Sequence, residues 1–151
     1  MGLFKFLNDL FLNQMERKYD YLMDKAYNPA IKDDDISQLD ENEKVFYVLY
    51  YFNVEWQNGG LCQFFVNSSR IYAPLISEYL EKVGALEHKK LYDNFIEKNN
   101  IDVYNLSFFI HDELSEYKDK HDAYPFDEFD NEFYKLDQLD DYLEAYMNEK
   151  L

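Results

Sequence analysis

The sequence predicts an all-α fold, a single-domain bundle of six or seven helices spanning residues 1–151. Three observations carry this reading. Four glycines and three prolines leave few breaks in the chain. Apolar residues recur mainly at steps of three and four, the helical period. The one segment that alternates like a strand, residues 103–110, has no partner elsewhere. At 151 residues the chain is about one domain, able to bury close to 70% of its unfolded surface without metal or disulfides.

The elements follow in order. Leu7, Phe11, Met15, Leu22 and Ala26 define an N-terminal helix over residues 3–26, which stops before Asn28-Pro29. An acidic connector, residues 32–37, carries Asp33-Asp34-Asp35. Asp40 with Glu43 three residues on forms a capping-box pattern. Val45, Leu49, Phe52 and Trp56 then share one stripe, the clearest helix in the chain. Asn58-Gly59-Gly60 is expected to end it, since both residue types tolerate the left-handed conformation of a helix C-terminus. Residues 61–67 are too short for an independent helix, although Phe64 and Phe65 call for burial. Pro74 opens the next helix, whose buried side is Leu75, Ile76, Tyr79, Leu80 and Val83, and Gly84 stops it. A helix over residues 86–98 buries Leu91, Phe95 and either Tyr92 or Ile96. A loop is expected at 99–104, a helix at 106–117 and an acidic loop at 119–126. A last helix runs from about 127 to 149.

Composition sets limits on function. Fifteen Tyr, thirteen Phe and one Trp, with 47% apolar residues, exclude disorder. The single cysteine, Cys62, excludes a disulfide framework and fits a reducing compartment. Residues 1–12 are interrupted by Lys5, Asn8 and Asp9 and lack a cleavage site, so they do not read as a signal peptide. No run approaches a membrane span, and a cytoplasmic location is expected. With 31 acidic against 15 basic residues the net charge is −16, which opposes direct binding of nucleic acid or an anionic membrane.

No catalytic set is visible, and the chain is read as a non-enzyme. His88, His111 and His121 share no metal-ligand spacing, so neither metal nor cofactor is implied. Cys62 lacks a neighbouring base and reads as a small buried residue. Glu55 beside Trp56 is a lone acid whose plainer role is a hydrogen-bonded helix face. The acids are more informative. Residues 111–151 hold 14 Asp or Glu and 4 Lys, a net −10. On a continuous last helix, Asp130, Asp137, Asp141 and Glu144 fall within an arc of about 60°, opposite Leu136, Leu139, Leu143, Tyr146 and Met147. Asp122, Asp127 and Glu128 extend this acidic face, which is the expected partner-binding surface. Four carboxylates over about 21 Å of helix give one charge per about 7 Å, against one per about 1.7 Å of duplex DNA. A second segment or a second subunit must therefore contribute, and a homodimer is expected.

The run from Glu55 to Ser69, with its Asn58-Gly59-Gly60 turn, Gln63-Phe64-Phe65 and Asn67-Ser68, resembles the hallmark of the bacterial DNA-mimic-protein family, most members of which are known only as a domain of unknown function. Val45-Phe46-Tyr47, Leu80 to Ala85 and the region from Phe129 to Tyr146 extend the likeness over about residues 40–149. Gln57 and Arg70 depart from the pattern, which more often has Asn and Gly there. The resemblance implies an all-α fold and, for the characterised kind of member, an acidic dimer covering the DNA-binding face of a transcription regulator. The motif residues Trp56, Asn58, Gly59, Gly60, Gln63, Phe64, Phe65, Asn67 and Ser68 are read as structural. Gln63, Asn67 and Ser68 are expected to satisfy backbone groups near helix ends. A cleft lined by Gln57, Asn58, Gln63 and Asn67 would instead indicate a ligand. The expected partner is a basic protein, either a DNA-binding regulator or, in the alternative reading, a toxin such as a nuclease neutralised by an immunity protein.

Overall fold

The computed structural model describes residues 2–151, apart from the side chains of residues 8, 9 and 11–13, so the expected inward position of Phe11 lies outside the described residues. Seven α-helices follow one another: α1 Leu3–Ala26, α2 Glu41–Val66, α3 Ala73–Lys82, α4 Leu86–Lys98, α5 Tyr117–Asp122, α6 Phe126–Lys135 and α7 Leu139–Lys150. The only strands among the described residues are β1 Tyr27–Asn28 and β2 Asp33–Asp34, an antiparallel pair that turns the chain from α1 into α2. The all-α class holds.

The central element is α2. Asp40 and Glu43 close its capping box, each side chain accepting from the other's backbone N–H at 2.9 Å. Val45 to Leu49, Phe52, Leu61, Cys62, Phe64 and Phe65 are all buried, more than one stripe can supply. A helix buried nearly all round needs neighbours on every side. They are α1, α3, α6 and α7, which all pack against it. Aromatic edges fill the seams: Phe52 meets Phe64 edge-on at 4.9 Å, and Phe65 lies 5.1 Å from Phe109. Such pairs add about 0.5–1.5 kcal/mol each beyond the burial itself.

Local signals place α3 and α4 as expected. Pro74 stands in the first turn of α3. Gly84, at φ +81°, lets Ala85 N–H reach back to Leu80 O at 2.9 Å and close the helix. In α4 the buried face is His88, Tyr92 and Phe95, so Tyr92 rather than Ile96 faces the core. Its hydroxyl donates to Ala73 O at 3.0 Å.

Four expectations are corrected. The Asn-Gly-Gly turn interrupts the helix as expected, with Gly59 and Gly60 both outside helical geometry, but the segment after it, expected to be too short for a helix, is a second helical arm of α2. The chain resumes as helix through Val66, because Phe65 packs against Phe109 and Phe126 and Phe64 against Phe52 of the first arm, so the segment needs no length of its own. The expected helix at 106–117 is instead two short 3-10 turns, Ser107–Phe109 and Leu114–Glu116. Leu106 and Phe109 are anchored there, while Leu114 stays 90% exposed and supplies no buried stripe. Residues 119–122, expected as loop, belong to α5. Finally, the last helix is two helices. Leu136 and Gln138 are extended, and His88 Nε2 donates to Asp137 O at 2.7 Å across from α4, holding the break open.

Candidate functional site

The site is built on the kink in α2. Gly60 adopts φ +78° and ψ −174°, a conformation essentially restricted to glycine. The kink exposes the N–H of Leu61, which the carboxylate of Asp130 accepts at 3.0 Å. The same oxygen accepts Trp56 Nε1–H at 3.1 Å, so Asp130 ties both arms of the kink to α6. Gly59 is closely approached as well: a Cβ there would lie 2.0 Å from Gln63 Oε1.

Two further carboxylates hold the motif amides. Glu55 accepts from Gln63 Nε2 at 3.2 Å and Asn67 Nδ2 at 2.6 Å. Asp140, in the first turn of α7, accepts from Asn53 Nδ2 at 2.9 Å and Gln57 Nε2 at 3.2 Å. Burial raises the carboxyls of Asp130 and Asp140 above the usual range, and these hydrogen bonds oppose the rise. Neither has an ion-pair partner among the described residues.

The motif's polar side chains differ from expectation in their partners. Gln63 and Asn67 serve the Glu55 carboxylate instead of the backbone. Ser68 is exposed, and the buried Ser69 donates to Phe64 O at 3.0 Å. Arg70 donates to Val66 O and Asn67 O, both at 2.8 Å, and so covers the end of α2. Gln57, Asn58, Gln63 and Asn67 do not share a cleft: Gln57 turns to Asp140, Gln63 and Asn67 turn to Glu55, and Asn58 is exposed.

The expected acidic face is redistributed. Asp130 is removed from it, because it sits among Phe126, Phe129 and Phe133 on the inner side of α6 and faces the kink. Asp137 lies in the extended break, so it forms no helical pair with Asp141. Asp122 pairs with Lys118, and Asp127 pairs with His121 at 3.1 Å. Glu128, Asp137 and Asp141 remain exposed without an ion pair among the described residues, and Glu144 is half-buried. Asp141 in the first turn of α7 is favoured by the helix dipole.

Sequence reasoning missed the inward roles of Asp130 and Asp140. A signal for Asp130 existed: it falls four residues after Phe126 and three before Phe133, on the apolar stripe itself. A carboxylate on a buried stripe needs donors, and the kink supplies them. Cys62 is buried, and burial pushes its thiol up to about 12. No group of three or more His, Cys, Asp or Glu is placed to hold a metal among the described residues. No described helix is long and apolar enough to cross a membrane.

These features define an acidic helical domain organised around a carboxylate-tied Asn-Gly-Gly kink. The chain belongs to the family of DMP19-like proteins, whose family model matches residues 37–150. Comparison with curated proteins and with solved structures gives no match.

Proposed function

We propose that this chain is an acidic binding protein, without chemistry of its own, that occupies the nucleic-acid-binding surface of a basic protein. The observation that carries the reading is the charge of residues 111–151, net −10 out of −16, with Glu128, Asp137 and Asp141 exposed and unpaired among the described residues. Membership of the DMP19-like family supports it. With the break between α6 and α7, these unpaired acids stand at Glu128 in the first turn of α6, Asp137 in the break and Asp141 in the first turn of α7, instead of on one acidic stripe. One chain still carries charge more sparsely than a duplex, so we propose that a homodimer presents the full surface.

The test is competition. A basic partner isolated from the native cell by salt elution is bound to a labelled duplex, and this protein is added. The expected result is release of the duplex, with affinity falling as salt rises. At about 0.2–1 kcal/mol per exposed charge, changing Asp137, Asp141 and Glu144 together to Asn, Asn and Gln weakens the complex by about tenfold. Unchanged affinity and unchanged salt dependence would refute the acidic surface as the binding face. Light scattering that gives 18.4 kDa at micromolar concentration would refute the dimer.

A further inference from the structure

Two adjoining depressions, of about 360 and 380 Å³, share Trp56, Gln57 and Tyr134 and form one groove beside the kink. Asp130 stands in one and Asp140 and Asp137 in the other. No Lys, Arg or His lines either. The walls are aromatic: Trp56, packed 4.5 Å from Phe133, and Tyr134, which is 81% exposed on the rim. Asn53, only 3% exposed, reaches the groove with Nδ2 committed to Asp140, and its Oδ1 accepts no hydrogen bond among the described residues.

We propose that this groove receives the guanidinium group of an arginine side chain. Two half-buried carboxylates without a counter-charge, an amide oxygen that is open to the groove and accepts no hydrogen bond among the described residues, and two aromatic side chains together match a planar cation with five N–H donors. A metal ion is not served, since no three ligating side chains converge among the described residues. An ammonium fits less well, because its compact, strongly hydrated charge gains little from flat aromatic walls. Asp130 and Asp140 both carry a burial penalty that a seated cation relieves. The source of the arginine, a basic partner protein, rests on the function proposed above; the affinity of the groove does not.

Trp56 is the only tryptophan of the chain and already donates its Nε1–H to Asp130, so its indole resonance reports on the groove directly. The full chain is titrated with acetyl-arginine methylamide, and with the lysine and citrulline analogues. The expected result is a saturable shift of the indole resonance with arginine, at least about threefold weaker binding of lysine, and no saturable shift with citrulline. Asp137→Asn and Tyr134→Ala, both at exposed positions, should each weaken arginine binding by about threefold while circular dichroism stays unchanged. Absence of saturation, equal response to citrulline or lysine, or full affinity in both variants would overturn the proposal. If arginine binds but no basic partner competes with nucleic acid, the groove stands and the proposed function fails. If the partner competes but arginine does not bind, the groove fails and the acidic surface stands.

Discussion

Replacing Gly60 with Ala tests whether the kink is a tertiary structure or a local turn. At φ +78° and ψ −174° a residue with a side chain is strained by about 1–3 kcal/mol. The new Cβ would also lie 2.1 Å from Asp130 Oδ2, so the carboxylate must move. Its other oxygen holds both Leu61 N–H and Trp56 Nε1–H, and a displaced acceptor leaves a part-buried donor unpaired at about 1–3 kcal/mol. The sum is about 2–6 kcal/mol, a large share of the roughly 5–15 kcal/mol that stabilises an ordinary domain. Gly84→Ala is the internal comparison. Gly84 has nearly the same φ, +81°, but nothing lies within 4 Å of its Cβ position, so backbone strain alone applies, about 1–2 kcal/mol. Urea unfolding followed by Trp56 fluorescence and by circular dichroism gives both values. Equal losses in the two variants would show that Asp130 yields freely, and the argument that it locks the kink would fail.

Other outcomes follow from the same contacts. His88 is 1% exposed with Nδ1 unpartnered among the described residues, and burial holds it below the usual histidine range. The unfolded chain therefore takes up that proton first. Stability present above about pH 6.5 is lost as pH falls toward the lower folded value, and His88→Gln flattens that part of a urea-midpoint profile. Asp130 and Asp140 act in the opposite sense nearer pH 4, where their raised carboxyls favour the folded state as acid is added. Asn67→Ala removes the 2.6 Å hydrogen bond to Glu55 and should cost about 1.5–3 kcal/mol in the same assay. Cys62 should resist a thiol reagent at pH 8 in the native protein and react at once in denaturant; rapid native labelling would contradict its burial.

Much of the fold is legible because its signals are local. The capping box at Asp40, Pro74, Gly84 and the stripes of α2 to α4 specify their elements without reference to distant residues. The break at 136–138 has no such mark: Leu136-Asp137-Gln138 contains neither Gly nor Pro, and a histidine from α4 holds it. The same holds at the site. The Asn-Gly-Gly turn is readable, whereas the carboxylates that secure it come from α6 and α7 and resemble their many exposed neighbours until the helices are docked. Acidity is a property of composition; which acid turns inward is a property of packing.

The partners of α2 lie far along the chain: Asp130 is 69 residues after Leu61, Asp140 is 87 after Asn53, and Tyr146 is 104 after Asn42. At a synthesis rate of roughly 5–20 residues per second, Leu61 waits about 3–14 s before Asp130 has even been joined to the chain. Throughout that interval Phe46, Phe52, Phe64 and Phe65 lack part of the cover that the finished protein gives them. The nascent chain is thus most prone to aggregation midway through translation, and slow codons or a stall before residue 130 should lower the soluble yield more than the same delay near residue 30.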